Sequence, residues 1–320
     1  MALSPWVFDA HSDIAGDLFL RDDPQRFREH IDRMIAARVG AVITCLWGFA
    51  DPGVPAAAQQ LRQLELLEQA LAEVPRATLC LTPQELAFAR RRHDVAFVLG
   101  IEGFEVPVAL LPELHDRGMR HAMLRWSVDS PAVRSGHLTG LGKEVVREIE
   151  RRHWLVDVSH LPEPAFWELL EETECPILAS HSNAAALQRH ERNLTDDQLR
   201  AVAERGGVVG LNSWPPFLSS DAATREDFIR HIRYVSDLIG PDHVAFGFDF
   251  VDYLLDVVDL GSKDLATGLA GLEDVPGLLA DLVRHGFTEV ETEHLAHGNL
   301  INLWQAVSAL QLPRGGAVIG

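Results

Sequence analysis

Lysine is nearly missing from this chain: 320 residues carry only Lys143 and Lys263. Basic residues total 28 against 47 acidic ones, the formal net charge is −19, and no basic run occurs. Nucleic acid and anionic membrane surfaces are therefore poor partners for it. Cysteine is also scarce. Cys45, Cys80 and Cys175 are odd in number, widely spaced and free of any CxxC pair. They read as buried free thiols and fit a reducing cytoplasm better than a disulfide framework. No apolar stretch approaches the roughly 18 residues of a membrane span. The opening MALSPWVFDAH has neither a basic start nor a long apolar core, so no leader peptide is expected.

What is present is a core-sized apolar content of 47% and a regular alternation of segment types. Strand-like runs fall at Trp6–Asp9, Ala41–Trp47, Val95–Ile101 and Arg120–Trp126. Four more fall at Trp154–Val158, Ile177–Ser180, Val208–Asn212 and Val244–Phe248. Helical patterns fill the gaps at Pro24–Arg38, Gln59–Ala72, Val108–Arg117, Gly142–Arg152, Glu163–Glu172, Asp196–Arg205 and Arg225–Ile239, with a largely helical remainder. Eight strand–helix units predict a parallel sheet closed on itself, an α/β (βα)8 TIM barrel of the metal-dependent hydrolase type spanning 1–320 as one domain. Leu254–Gly271 is the least patterned stretch and reads as a long active-site loop, and the Arg314–Gly320 tail as frayed.

Five metal-ligand residues sit at strand ends: His11 and Asp13 in FDAHSD, Glu102 in LGIEGF, His160 in LVDVSH and His181 in PILASHS. Singly, each histidine is more simply a core or loop residue, and Glu102 a solvated strand end. Jointly they matter, because parallel barrel strands all end on one face and bring these groups together. Residues two apart in extended chain point the same way, so His11 and Asp13 can reach one ion. Histidine and carboxylate ligands suit zinc, and a carboxylate between two ions would hold them about 3.5–4 Å apart around a nucleophilic water. Asp249, in HVAFGFDF, is either a general acid/base or a structural aspartate. Arg192, in HERN, either clamps a substrate carboxylate or pairs with Glu191 at the surface. Asp9 and Asp157 are placed to orient ligand histidines from behind.

These motifs resemble the membrane (renal-type) dipeptidase family, zinc peptidase family M19. DAHSD is similar to its HxD opening, GIEGFE to its bridging-Glu segment, and HVAFGFDF to the segment with the catalytic Asp. CPILASHSNAAALQRHERNLTDDQLRAVAERGGVVGLN is the best match; about residues 20–90 and 251–270 match least. The resemblance implies hydrolysis of dipeptides, with tolerance for a D-residue at the C-terminal position, by a hydroxide bridging two Zn2+ ions. His11 and Asp13 would hold one zinc, His160 and His181 the other, with Glu102 bridging. Asp249 would be the acid/base and Arg192 would hold the substrate carboxylate, with Trp126 and Asn193 also read as substrate-binding. A homodimer is a family expectation.

There are departures. A histidine common after strand four is Trp126 here, followed by Ser127, and a later Asn is Ser130. DFDG becomes DFVD, so Val251 replaces an acid for which Asp252 would have to stand in. GGH after the bridging Glu is GFE. Two rival readings stay open: a different two-metal amide or ester hydrolase of the amidohydrolase type, and a non-catalytic metal-binding descendant. The first often needs a carboxylated lysine after strand four, a place neither Lys143 nor Lys263 fits. The second has no need of Asp249 or Arg192.

Overall fold

The computed structural model describes residues 6–23, 25–49, 53–126, 129–261 and 264–310. Pro24, Ser127, Lys263 and the Arg314–Gly320 tail lie outside them. The expected apolar runs form eight strands. They are β1 Val7–Ser12, β2 Val39–Leu46, β3 Val95–Ile101 and β4 Met119–Met123, then β5 Leu155–Asp157, β6 Ile177–Ala179, β7 Val208–Leu211 and β8 Val244–Phe246. Each pairs in parallel with the next in chain order. β8 returns to β1 with Phe246 opposite Asp9, which closes the barrel.

Period-two alternation sorts the strand residues into two cores. Phe8, Ala41, Ile43, Val98 and Ala245 fill the inside, with Leu300 and Trp304 of helix Asn299–Ser308 packed against them. Val7, Val42, Phe97, Leu99 and Phe246 pack outward with the helices. Both faces are covered, so the strands are apolar throughout rather than alternating with polar residues. Cys45, Cys80 and Cys175 are buried and free, as expected.

The helix at Arg225–Ile239 has the expected bounds, and that at Asp196–Glu204 starts at Thr195, whose side chain accepts from the Gln198 N–H in a capping box. The helix expected from Pro24 runs Gln25–Ala37. That expected from Gly142 starts at Gly140, because Thr139 caps it by accepting the Gly142 N–H. Helices Ile14–Arg21 and Pro83–Arg92, and the short strand Ala77–Leu79, were not legible in the pattern. The strand pairs with the first residues of β3, below the point where β4 begins. Leu254–Gly271 carries no helix or strand among the described residues.

Backbones crowd at the tips of β6, β7 and β8. A Cβ at Gly247 would lie 1.6 Å from the Ser180 carbonyl oxygen, and one at Gly210 would lie 2.0 Å from it. Backbone cannot rotate aside as a flexible side chain can. Gly247→Ala should therefore cost about 1–3 kcal/mol in stability, read as a lower Tm. An unchanged Tm would mean that the strand tips part without cost.

Candidate metal centre and substrate cavity

All five expected ligands meet at the C-terminal mouth of the barrel. His11 is the penultimate residue of β1, Asp13 follows that strand, and Glu102 follows β3 directly. His160 and His181 lie just beyond β5 and β6. The Glu102 carboxylate is central: Oε1 lies 2.8 Å from His160 Nε2 and 3.6 Å from His181 Nε2, and Oε2 lies 3.4 Å from His11 Nε2. His11 Nε2 is also 3.6 Å from Asp13 Oδ1 and 3.8 Å from Asp249 Oδ1. His160 and His181 face each other Nε2 to Nε2 at 2.9 Å.

His11, Glu102 and His181 can direct three ligand atoms at one point, and His11, Asp13 and Asp249 a second three. Asp13 Oδ1 is buried without a hydrogen-bond partner. A buried carboxylate oxygen left without a donor fits a cation, and imidazole with carboxylate is a zinc-type donor set. The residues present therefore fit a metal centre.

The electrostatics separate the three histidines: burial opposes the shift, but the Glu102 and Asp13 carboxylates raise His11 well above its usual value in the metal-free chain. Burial, with the Arg192 charge, pushes His160 down to about 4, and burial holds His181 well below its usual value. Both rings are neutral near pH 7, the form that ligates. Burial alone would raise Glu102, but His11 and His160 hold it well below the usual carboxylate range. Burial raises Asp249 to about 7, helped by Asp13 and Glu102. Its Oδ2 accepts from Asn212 Nδ2 at 3.0 Å.

Two of these residues hold costly backbone. His160 has φ +66° and Asp249 φ +55°, left-handed values that non-glycine residues seldom adopt. Such strain persists only where its surroundings impose it.

Asp9 and Asp157, expected behind the ligand histidines, act on backbone instead of on the rings. Asp9 Oδ1 accepts the N–H groups of His11 at 3.3 Å and Phe248 at 2.9 Å. Asp157 Oδ1 accepts those of Ser159 at 2.8 Å and Ser180 at 3.2 Å. Each carboxylate thus fastens two strand tips in the residues that carry a ligand or Asp249. Asp157 Oδ2 also binds His121 Nε2 at 2.7 Å inside the barrel. Gly100 leaves room for that ring, since a Cβ there would lie 2.3 Å from His121 Nδ1.

A cavity of about 260 Å3 opens over the centre. Asp13, Glu102, His160 and Asp249 form its polar part; Trp47, Trp126, Trp214 and Phe217 contribute aromatic walls. Trp126 lies 5.1 Å from Trp47, ring centre to ring centre. Arg192 lines it too, half-buried, its guanidinium 5.5 Å above the Phe217 ring. Among the described residues the guanidinium has no ion-pair partner, so the surface pairing with Glu191 does not form. Burial lowers its pKa to about 10, which leaves it charged at neutral pH. A larger cavity of about 530 Å3, around Trp6 and Arg90, lies by the N-terminal ends of β2 and β3, away from these groups.

Asn193, expected at the substrate, is buried beside the cavity. Its Nδ2 donates to the carbonyls of Gln188 and Phe217, both at 2.8 Å, so it braces the loop that presents Phe217. Ser130 braces another, donating to the Leu124 carbonyl at 2.7 Å. Asp252 does not stand in for the missing acid; it binds Arg33 at 2.7 Å, and Val251 lines the cavity. Lys143 is on helix Gly140–Arg151, paired with Glu172 at 2.8 Å.

The candidates drawn from sequence omitted Arg125, His121, Asn212 and Tyr253. Arg125 lines the cavity beside Trp126, and Tyr253 Oη accepts the Asp13 N–H at 3.2 Å. Arg125 and Asn212 carry a usable signal, since each follows a barrel strand. His121 and Tyr253 carry none that spacing would show.

A closed (βα)8 barrel with a His/carboxylate centre at its C-terminal mouth defines a metal-dependent hydrolase. Residues 4–314 match the membrane dipeptidase family, peptidase family M19, and the chain belongs to that family. In class it is a metallo-dipeptidase. It is 33% identical over 270 residues to an uncharacterised protein from the pqqA 5′ region of Klebsiella pneumoniae, covering 76% of this chain and 96% of that one. It is 32% identical over 251 residues to an uncharacterised dipeptidase of Schizosaccharomyces pombe, covering 72% of this chain but 58% of the yeast protein. The crystal structure of dipeptidase AC, an M19 metallopeptidase, superposes with a TM-score of 0.82 at 26% identity, over 95% of this chain and 99% of that one. A Rhodobacter sphaeroides metallopeptidase, liganded with a phosphinate mimic of L-Ala-D-Ala, gives a TM-score of 0.80 at 26% identity, over 94% and 99%. No helix among the described residues is long and apolar enough to cross a membrane.

One stability effect follows from Asp9. Burial raises its carboxyl from 3.8 to about 7, against the pull of the Phe248 and His11 N–H groups. Between those values the folded, metal-free chain holds a proton that the unfolded chain has released. Its stability therefore falls as pH rises through that window. Asp9→Asn keeps an oxygen acceptor and cannot titrate, so a plot of Tm against pH should be flatter in this variant. Parallel plots would show that Asp9 is already ionised in the folded chain.

Proposed function

We propose that this chain is a binuclear zinc dipeptidase that cleaves the peptide bond of free dipeptides and tolerates a D-residue at the C-terminal position. The observation that carries the reading is one cavity lined by Asp13, Glu102, His160, Asp249 and Arg192, with His11 and His181 directly behind Glu102 and no ion-pair partner for the Arg192 guanidinium among the described residues. His11 and Asp13 would hold one ion, His160 and His181 the other, with Glu102 between them. Ions bound there would supply Lewis acidity and would acidify a water nucleophile near neutral pH. The D-residue tolerance draws support from the Rhodobacter sphaeroides relative and its L-Ala-D-Ala mimic.

The chain's own residues then divide the work. Arg192 binds the terminal carboxylate and fixes the peptide bond over the cluster, converting binding into orientation. Asp249 takes the proton of the attacking water and passes it to the departing amine nitrogen. Asn212 holds Asp249 Oδ2, leaving Oδ1 toward the cluster. Trp126 shapes the wall and lacks the imidazole that could donate to the carbonyl oxygen.

The direct test is cleavage of L-Xaa-L-Xaa and L-Xaa-D-Xaa dipeptides by zinc-loaded protein, with a chelated control and metal analysis. Chelator-sensitive cleavage with two zinc ions per chain is expected; no cleavage with both ions bound would sink the reading. Asp249→Asn should lower kcat by about 10²–10⁴-fold with metal content unchanged, and a fully active variant would remove Asp249 from its role. Arg192→Ala should raise KM for free dipeptides while leaving hydrolysis of C-terminally amidated ones nearly unaffected. Equal losses on both would show that Arg192 does not bind the carboxylate.

A further inference from the structure

His121 lies inside the barrel on β4, fully buried, and takes no part in the chemistry above. Its Nε2 meets Asp157 Oδ2 at 2.7 Å. Burial alone would raise the Asp157 carboxyl, but hydrogen bonds from His121, the Ser180 hydroxyl and the Ser159 N–H hold it below the usual carboxylate range. Asp157 is therefore ionised and can only accept. His121 Nε2 and the Ser180 hydroxyl must each donate to it.

The direction of these bonds fixes a proton on a ligand ring. Ser180 Oγ also lies 2.7 Å from His181 Nδ1. A hydroxyl has one hydrogen, and Ser180 has given it to Asp157, so here its oxygen accepts and His181 Nδ1 carries the N–H. A neutral imidazole has only one N–H, which leaves Nε2 bare. The opposite end of the ring agrees. His181 Nε2 faces His160 Nε2 at 2.9 Å, a contact that needs one hydrogen. His160 Nδ1 is buried without a partner among the described residues, whereas His160 Nε2 is 2.8 Å from Glu102 Oε1. The His160 proton thus sits on Nε2, shared between Glu102 and the bare Nε2 of His181. Ser159 Oγ accepts the His181 backbone N–H at 3.2 Å and fixes the chain that carries the ring.

We propose that His121 is a positioning residue, the inner anchor of a hydrogen-bond relay through Asp157 and Ser180 that keeps the His181 proton on Nδ1 and its Nε2 free for a metal ion. This deepens the two-zinc reading above and rests on it. His121 touches no ligand itself. Without its N–H, a carboxylate in the dry barrel interior is driven to take up a proton. A protonated Asp157 no longer claims the Ser180 hydrogen. That hydroxyl is then free to donate to His181 Nδ1, and the ring proton moves to Nε2, where it blocks ligation.

Long-range proton–nitrogen NMR spectra of the full, metal-free chain with isotope-labelled histidines read the tautomers, and chelator competition reads zinc affinity. Wild type, Ser180→Ala, His121→Phe and His121→Gln are compared. Wild type should show His121 protonated at Nε2 and His181 at Nδ1. Ser180→Ala and His121→Phe should move the His181 proton to Nε2 and weaken one of the two zinc ions by about 10–100-fold, leaving the other unchanged. His121→Gln keeps a donor and should regain part of both effects. Adding His121→Phe to Ser180→Ala should cost little more zinc affinity than Ser180→Ala alone, because both cut one relay. If His121 merely fills the barrel, its loss lowers Tm while the tautomer and both affinities persist, which overturns the proposal. A wild-type His181 protonated at Nε2, or full addition of the two effects, overturns it as well. Should His121→Phe not fold, the spectra of wild type and Ser180→Ala decide. Wild type that takes up no zinc would strike the two-zinc reading instead, and the spectra would still decide the relay.

Discussion

The mouth of the barrel is organised around one nearly dry carboxylate. Glu102 is 2% exposed and stands between the Nε2 atoms of three histidines. Removing a carboxylate from water costs several kcal/mol unless cationic or donor partners replace the solvent. That demand draws His11, His160 and His181 inward from three different strands. Asp13 and Asp249 add two more carboxylates within reach of His11. Acidic groups packed this tightly call for cations, and this is the physical link between the fold and a metal-dependent reaction.

A crowded centre needs a rigid rim. Asp9 and Asp157 supply it by stitching the tips of β1 to β8 and of β5 to β6 through paired backbone N–H bonds. Asn183 and Asn212 join β6 to β7 in the same way, with bonds of 3.0 and 2.9 Å. The left-handed backbone at His160 and Asp249 is sustained by this bracing. The glycines at 210 and 247 let the strands approach closely enough for the stitches to form. Stability and chemistry therefore share the same few residues.

The departures from the family pattern spare the five expected ligands, and two of those departures fall in the walls of the cavity. Trp126 and Val251 line the cavity, whereas Ser130 and Asp252 are engaged elsewhere, with the Leu124 carbonyl and with Arg33. A substitution in the wall alters which side chain fits, while a substitution among the ligands would remove the metals.

Much of this was determined by the sequence by itself. Eight apolar runs separated by amphipathic ones lead to a closed parallel barrel, because strand and helix periods report burial directly. Ligand-type residues just past those runs, from His11 to His181, lead to a shared mouth, because parallel strands end on one face. Tertiary structure alone decided what depends on distances between segments remote in the chain. Asp157 pairs with His121 across 36 residues, and Asp9 reaches Phe248 across 239. Asn193 turned toward the Phe217 carbonyl rather than the cavity, and Arg125 entered it. A local pattern records whether a position is buried. It does not record which buried partner is waiting there, because that partner is set by barrel closure and by packing among residues distant in sequence.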